Sequence, residues 1–382
     1  MTLIDLTAST DHSSNIGLGA LTASGVSVWL DDLSRRRLRS GDLAGRITDM
    51  HVSGVTSNPT ILAAAVAEIG DYADQLADLG SRAVPAEEAF RLLTAYDVRA
   101  ACDLLRPVHE ATRGADGWVS VEVDPRLAQQ PRATAAEARA WAWLIDRPNL
   151  MVKIPATKAS LPAIAATIAE GISVNVTLIF GETRYGEVLD AYADGLERAR
   201  SDGYDLSRIH SVASFFVSRI DTEVDRRLDR LGSTTATALR SQAAIASARL
   251  AHRRFTTTID TERWQGLADA GANEQRLLWA STSVKDPTLP DTRYVTELVA
   301  PGVISTMPST TLEAFADHGH VRGRTLLDGP DEAIAVVDGL AALGIDMEDV
   351  ARVLEERGVA LFATSFASAL DTVGRALRQQ HA

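Results

Sequence analysis

The amino-acid sequence predicts an α/β protein built as a (β/α)8 barrel with extra helices, in a single domain spanning residues 1–382. Three observations lead there. Eight short apolar or alternating segments recur along the 382 residues. Ala-, Leu- and Arg-rich stretches with helical spacing separate them, the alternation expected of a parallel sheet. Two of the segments carry a polar row on one face, which suits a barrel whose outer face is covered by helices.

In order, the strand candidates are VSVWLDD from Val26, GVTSNP from Gly54, WVSVEVDP from Trp118 and NLMVKIPAT from Asn149. They continue with ISVNVTLIF from Ile172, HSVASFFVSR from His210, LLWASTS from Leu277 and GVISTMP from Gly302. PAEEAFRLLTAYDVRAACDLLRPVHEA and TRYGEVLDAYADGLERARSDG read as helices. The long gap between the second and third strands predicts an additional helical pair. In the fifth segment Ser173, Asn175 and Thr177 share one face; in the third, Ser120, Glu122 and Asp124 do. An inward polar row near strand C-termini is where a barrel keeps its active site. The alternative is an ordinary antiparallel strand with one wet face. The first 20 or so residues and the last few read as flexible or peripheral.

Composition narrows the function classes. A hydrophobic fraction of 46% supports a large core, and a formal net charge of −13 disfavours nucleic acid or an anionic membrane as a bulk partner. An anionic substrate would need a local pocket of placed cations. The one cysteine, Cys102, cannot form an internal disulfide. No signal peptide and no apolar run of roughly 18 residues is present, so a cytoplasmic protein is expected. The histidines are scattered, and His318 and His320 lack acidic or Cys partners at ligand spacing, so no metal is expected. Motifs for a P-loop, a dinucleotide fold or a serine-hydrolase elbow are missing.

Only three of the 38 basic residues are lysines: Lys153, Lys158 and Lys285. Lysine does what arginine cannot, acting as an amine nucleophile once deprotonated. Lys153 lies among Leu150, Met151, Val152, Ile154 and Pro155, where desolvation disfavours a charged ammonium. Such an amine can condense with a ketone, and the iminium withdraws electrons from a neighbouring carbon–carbon bond. Glu122 on the preceding strand could move protons, directly or through one water, and Asp31 could take a hydroxyl proton. Structural roles stay open beside these: an ion pair of Lys153 with Glu122 or Asp124, and a helix cap from Asp31 or Asp32. Lys158 reads as the start of the following helix.

The segments SVWLDDLSR, GVTSNPTIL, VSVEVDPRL, NLMVKIPATKASLPAI, GISVNVTLIF, HSVASFFVSRIDTEVDRRLD and WASTSVKDP resemble, in order, the motifs of bacterial transaldolases. The likeness is to the longer actinobacterial form and runs from about Leu21 to beyond Gly358. It implies a class I enzyme without metal or coenzyme that moves a dihydroxyacetone unit between sugar phosphates in the pentose phosphate pathway. By position it makes Lys153 the Schiff-base lysine and Asp31 the proton acceptor at the cleaved bond. Glu122 becomes the acid/base, working through a water held with Thr177. Asn58 and Asn175 would hold the dihydroxyacetone hydroxyls, Thr56 would shape the same wall, and Ser214 would add a hydrogen bond. Arg219 would bind phosphate, with Ser281 and Lys285 completing that pocket. Related fructose-6-phosphate aldolases carry Gln and Tyr where Glu122 and Phe216 stand, so the resemblance implies transfer rather than free cleavage. Sugar phosphates are the expected partners, with a monomer or homodimer as the assembly.

Two positions depart from the family pattern. Ser283 stands where Gly is usual, which would be costly if that backbone needs a positive φ. Gly181 stands where a Ser-led segment is usual. They leave room for a paralogue with shifted specificity, and a catalytically silent barrel is the remaining alternative. Retention of Lys153, Glu122, Asp31, Asn175 and Arg219 together argues against a silent barrel.

Overall fold

The computed structural model describes residues 16–379. Eight parallel strands close into a barrel in sequence order. They are β1 (Ser27–Asp31), β2 (Val52–Thr56), β3 (Trp118–Glu122), β4 (Leu150–Pro155), β5 (Val174–Ile179), β6 (Ser211–Phe216), β7 (Arg276–Ala280) and β8 (Ile304–Met307). Six strand candidates contain one of them; the candidates from Gly54 and Leu277 begin two residues and one residue inside β2 and β7. The antiparallel alternative is overturned, because all eight neighbouring pairs are parallel.

The polar rows are buried within the closed sheet. Ser120, Glu122, Asn175 and Thr177 are all buried, while Val119, Val121, Val174 and Val176 alternate with them in the main core. Asp124 is a correction to the inward row. It lies past the end of β3, accepts from the Arg126 backbone N–H at 2.9 Å and pairs with the Arg126 guanidinium. At the opposite end of the strands, Trp29 closes against Gly54, where an added Cβ would lie 2.4 Å from the indole. Trp29 Nε1 donates to Asp116 at 2.9 Å, so this large side chain is polar-satisfied as well as packed.

The insertion after β2 holds the helices Pro59–Ala67 and Ala73–Ser81 ahead of the long helix Ala86–Ala111, matching the expected pair. Residues 1–15 of the expected peripheral N-terminal segment lie outside the described residues. From Ile16, however, the chain is a helix (Ile16–Ala23) with Gly17, Leu18 and Leu21 buried. Gly17 allows close packing there, since an added Cβ would sit 2.6 Å from the Phe315 carbonyl.

The last helix, Met347–Gln379, packs against β5, the helix Pro59–Ala67 that follows β2 and the turn Pro125–Leu127 that follows β3. Its Ala351 packs on Gly181, Gly358 on Leu178, and Phe366 under the Arg126 guanidinium at 4.9 Å. Ser365 bonds Thr60 at 2.9 Å. The helix is latched to Ser218–Leu231, the helix that carries Arg219. The latch is Glu223, whose buried carboxylate receives Arg226, Arg227 and, from the last helix, Arg357 at 2.8 Å. Among the described residues no helix is long and apolar enough to cross a membrane.

Burial resists ionisation of Glu223, but the three guanidiniums outweigh it and hold its pKa at about 2 against an ordinary 4.5. A depressed carboxylate contributes stability above its unfolded pKa and loses it as pH falls toward the folded one. The wild type should therefore lose stability between about pH 4.5 and 2 more steeply than Glu223→Gln, in urea melts followed across that range. Equal slopes would remove the latch.

Candidate active site

Strand register sets the central cluster. Glu122 pairs with Lys153 across β3 and β4, and Lys153 with Asn175 across β4 and β5. Three neighbouring strands thus present a carboxylate, an amine and an amide. Lys153 and Glu122 side chains are 4% and 1% exposed, with Nζ 3.6 Å from Glu122 Oε2. That distance is electrostatic contact rather than a hydrogen bond. The Lys153 Nζ donates instead to the Ser57 carbonyl at 3.1 Å. Ser57 is itself fixed, because its hydroxyl donates to the Ser120 carbonyl at 2.7 Å.

Among the described residues, neither carboxylate oxygen of Glu122 nor the Thr177 hydroxyl has a hydrogen-bond partner. Buried oxygens of this kind are costly unless a ligand or water serves them. Burial lifts the Glu122 pKa from 4.5 to about 7, against the pull of Lys153 and with a further push from Asp31. β5 also bends here. Leu178 takes a left-handed φ of 60° and the register with β6 shifts between Val176 and Ile179, so a bulge follows directly on Thr177. Bulges commonly re-aim side chains beside active sites.

Asp31 ends β1 and pairs with Thr56 at the end of β2. The Thr56 hydroxyl donates to Asp31 Oδ1 at 2.6 Å. Burial raises the Asp31 pKa, while Lys153, Thr56 and Arg219 oppose the rise and Asp32 adds to it. Neither aspartate caps the next helix. Ser34 does, accepting from the Arg37 N–H, and Asp32 pairs with Arg37 at 2.6 Å.

Asn175 is fully buried and held at both ends of its amide. Ser214 on β6 donates to its Oδ1 at 2.7 Å, and its Nδ2 donates to Ser120 Oγ at 3.0 Å. Asn58 is half-buried and caps the helix Pro59–Ala67, its Oδ1 accepting from Thr60 and Ile61 N–H at 3.0 Å each. Its amide NH2 group is what it can offer a ligand.

Arg219 follows β6 and stands apart from the other cations. Among the described residues its side chain has no carboxylate partner and no hydrogen bond; its Cζ lies 5.4 Å from the centroid of the Phe216 ring. Burial draws its pKa down and Asp31 opposes this, but a guanidinium keeps its charge. Phe216 packs on Phe180 at 5.3 Å. Ser281, just past β7, has a left-handed φ of 57° and its hydroxyl bonds that of Ser218, at 2.9 Å. Ser283 has no positive φ, so the cost that would follow from one does not arise; the left-handed residue of this loop is Ser281. Lys285 is exposed and donates to Ser283 Oγ at 2.7 Å. Gly181 also has a packing reason, since an added Cβ would lie 3.1 Å from the Ala351 Cβ on the last helix.

Sequence reasoning missed Ser57, Thr306 and Phe180, and gave Ser120 only a place on the polar face. Ser57 acts through its main-chain carbonyl, which no residue type encodes. Thr306 on β8 bonds the Thr56 hydroxyl at 2.8 Å; its inward place in GVISTMP was a readable signal.

An amine, two carboxylates and an amide on the strands, with a second amide and a guanidinium from the helices that follow β2 and β6, gather at the C-terminal end of a closed parallel barrel and define a (β/α)8-barrel enzyme. Comparison with known proteins narrows that class. The sequence model described as Transaldolase/Fructose-6-phosphate aldolase matches residues 28–373. A transaldolase of Thermobifida fusca is 58% identical over 94% of this chain and 98% of its own. One from Acidothermus cellulolyticus is 57% identical over 95% and 97%. "Transaldolase 1" of Streptomyces avermitilis is 55% identical over 94% and 96%. The chain belongs to the transaldolase/fructose-6-phosphate aldolase family.

A half-buried guanidinium without an acceptor favours a bound anion. Calorimetric titration with inorganic phosphate should show binding that Arg219→Met weakens about tenfold or more, corresponding to about 1.4 kcal/mol. Unchanged affinity in the variant would place the anion elsewhere.

Proposed function

We propose that this chain is a transaldolase that moves a dihydroxyacetone unit through a Schiff base on Lys153. The donor is a ketose phosphate such as sedoheptulose 7-phosphate or fructose 6-phosphate; the acceptor is glyceraldehyde 3-phosphate or erythrose 4-phosphate. One observation carries the reading: the buried Lys153 amine lies 3.6 Å from a buried Glu122 whose oxygens are otherwise unpartnered. A purely structural ion pair would have its remaining lone pairs satisfied by neighbours. Family membership and the relatives' names support the same reading.

In this mechanism the neutral Lys153 amine attacks the ketose carbonyl carbon. Glu122, through a water held with Thr177, supplies the proton that lets the carbonyl oxygen leave as water, giving an iminium. Asp31 takes the hydroxyl proton from the carbon beyond the bond to be broken. That carbon becomes an aldehyde and departs, and the bonding electrons flow into the iminium, leaving an enamine on Lys153. The acceptor aldehyde then adds to the enamine carbon and recovers its proton from Asp31. Water hydrolyses the new iminium, restoring the amine.

Asn175 and the amide NH2 of Asn58 hold the dihydroxyacetone hydroxyls, with Thr56 walling the same side. Ser214 serves by orienting Asn175. Arg219 takes the phosphate, with Ser281 shaping the loop and Lys285 adding charge at the rim. A carboxyl near pH 7 suits Glu122, which must give and take protons at neutrality. Glu122 and Phe216 favour transfer over free cleavage. The whole chain then acts as one domain in the non-oxidative pentose phosphate pathway of the cytoplasm, as a monomer or homodimer.

Borohydride reduction in the presence of fructose 6-phosphate should leave a dihydroxyacetone-sized adduct on Lys153 by mass spectrometry, absent in Lys153→Arg. No adduct with any ketose phosphate would overturn the reading. Glu122→Gln should lower kcat by about 10²–10⁴ and erase the ionisation near pH 7 from the rate profile. A profile that kept it would assign that ionisation to another group.

A further inference from the structure

We propose that Thr306 on β8 is a positioning residue that holds Asp31 in its ionised, proton-accepting form. The inference deepens the reading above and rests on Asp31 acting as the proton acceptor.

With Asp31 ionised, the direction of every proton in the chain follows. The Thr56 hydroxyl has one proton, and it donates that proton to Asp31 Oδ1 at 2.6 Å. The contact between the Thr56 and Thr306 hydroxyls, 2.8 Å, must then have Thr306 as donor. Thr306 is buried, and its own carbonyl is held by the Thr282 hydroxyl at 2.9 Å, so its backbone is anchored from β7's end. The result is a directed run, Thr306 to Thr56 to Asp31, drawn from three consecutive strands around the closure of the barrel, β8, β1 and β2.

Such a run discriminates between the two states of Asp31. With the carboxylate ionised, every hydroxyl proton has an acceptor, and donation into Thr56 polarises it into a stronger donor. With Asp31 protonated on Oδ2, Thr56 donates to a neutral oxygen, a weaker acceptor; with the proton on Oδ1 the run reverses, and the buried Thr306 proton loses its one acceptor among the described residues. Thr306 therefore favours the anion. That bias is needed because burial pushes Asp31 toward the neutral form. The other charged groups facing Asp31 are Lys153 from β4, Arg219 from the helix after β6, Glu122 from β3 and Asp32 beside it. Among the described residues none of them hydrogen-bonds the Thr306 hydroxyl, whose partner is Thr56.

The test uses Thr306→Val, which keeps the shape and removes the hydroxyl, and Thr306→Ser, which restores it. Thr306→Ala stands in should the valine variant fail to fold. The pH dependence of kcat/KM for transfer is measured for each. Loss of the hydroxyl should move the acid limb to higher pH by about 0.3–0.6 unit, the scale of one lost polarising bond; Thr306→Ser should leave it in place. A packing role alone would lower stability without moving the limb. The Asp31 carboxyl is also titrated without substrate, by infrared difference between each protein and its Asp31→Asn counterpart. A midpoint unchanged by Thr306→Val overturns the inference. A shifted midpoint in a protein that traps no Lys153 adduct upholds the positioning and instead sinks the transaldolase reading.

Discussion

The site depends on holding opposite charges inside a closed barrel where water cannot screen them. Lys153 and Glu122 stand 3.6 Å apart with almost no exposure. Taking either charge out of water alone would cost several kcal/mol, so each makes the other tolerable. Asp31 and Arg219 repeat the arrangement at longer range, since each appears in the other's electrostatic surroundings. Two carboxylates and two cations leave the interior near neutrality. A Glu122 carboxyl poised near 7 lets that balance shift by one proton near neutrality.

Around these charges lies a layer of small hydroxyls that orients them. The hydroxyls of Ser120, Ser214 and Thr56 place the amide and the aspartate through bonds of 2.6 to 3.0 Å, and Ser57 holds the lysine through its main-chain carbonyl at 3.1 Å. All four are buried. Short side chains suit the task because they lose little rotamer freedom and bring donor and acceptor together in one atom. The layer leaves Glu122 and Thr177 unsatisfied, so the place where the protein withholds its own partners is the place where the proposed chemistry needs a mobile water.

The scaffold adds two devices at the same rim. The bulge at Leu178 bends β5 just beyond Thr177, and the last helix packs on that bend through Gly358. Glu223 ties the helix to the element bearing Arg219. Gly181 lies against this packing too, where an added Cβ would stand 3.1 Å from the Ala351 Cβ. Ser283 carries no left-handed strain; the left-handed residue is Ser281.

By itself the sequence determined the barrel, the strand order and the inward polar rows, because a period of two with valines on the alternate face is a local property of each strand. It also singled out Lys153, since one lysine in an apolar strand of an arginine-rich chain is visible in one dimension. The tertiary structure alone decided how these groups are held. That Asp124 turns away to Arg126 while Glu122 faces Lys153 depends on where β3 ends. That Asn58 spends its oxygen on a helix cap, and that Ser34 rather than Asp31 caps the preceding one, depends on the entry angle of each helix. The partner of Lys153 is a main-chain carbonyl and the partner of Thr56 comes from a strand 250 residues away. Neither is written in residue type or spacing, because barrel closure brings together groups that the chain keeps far apart.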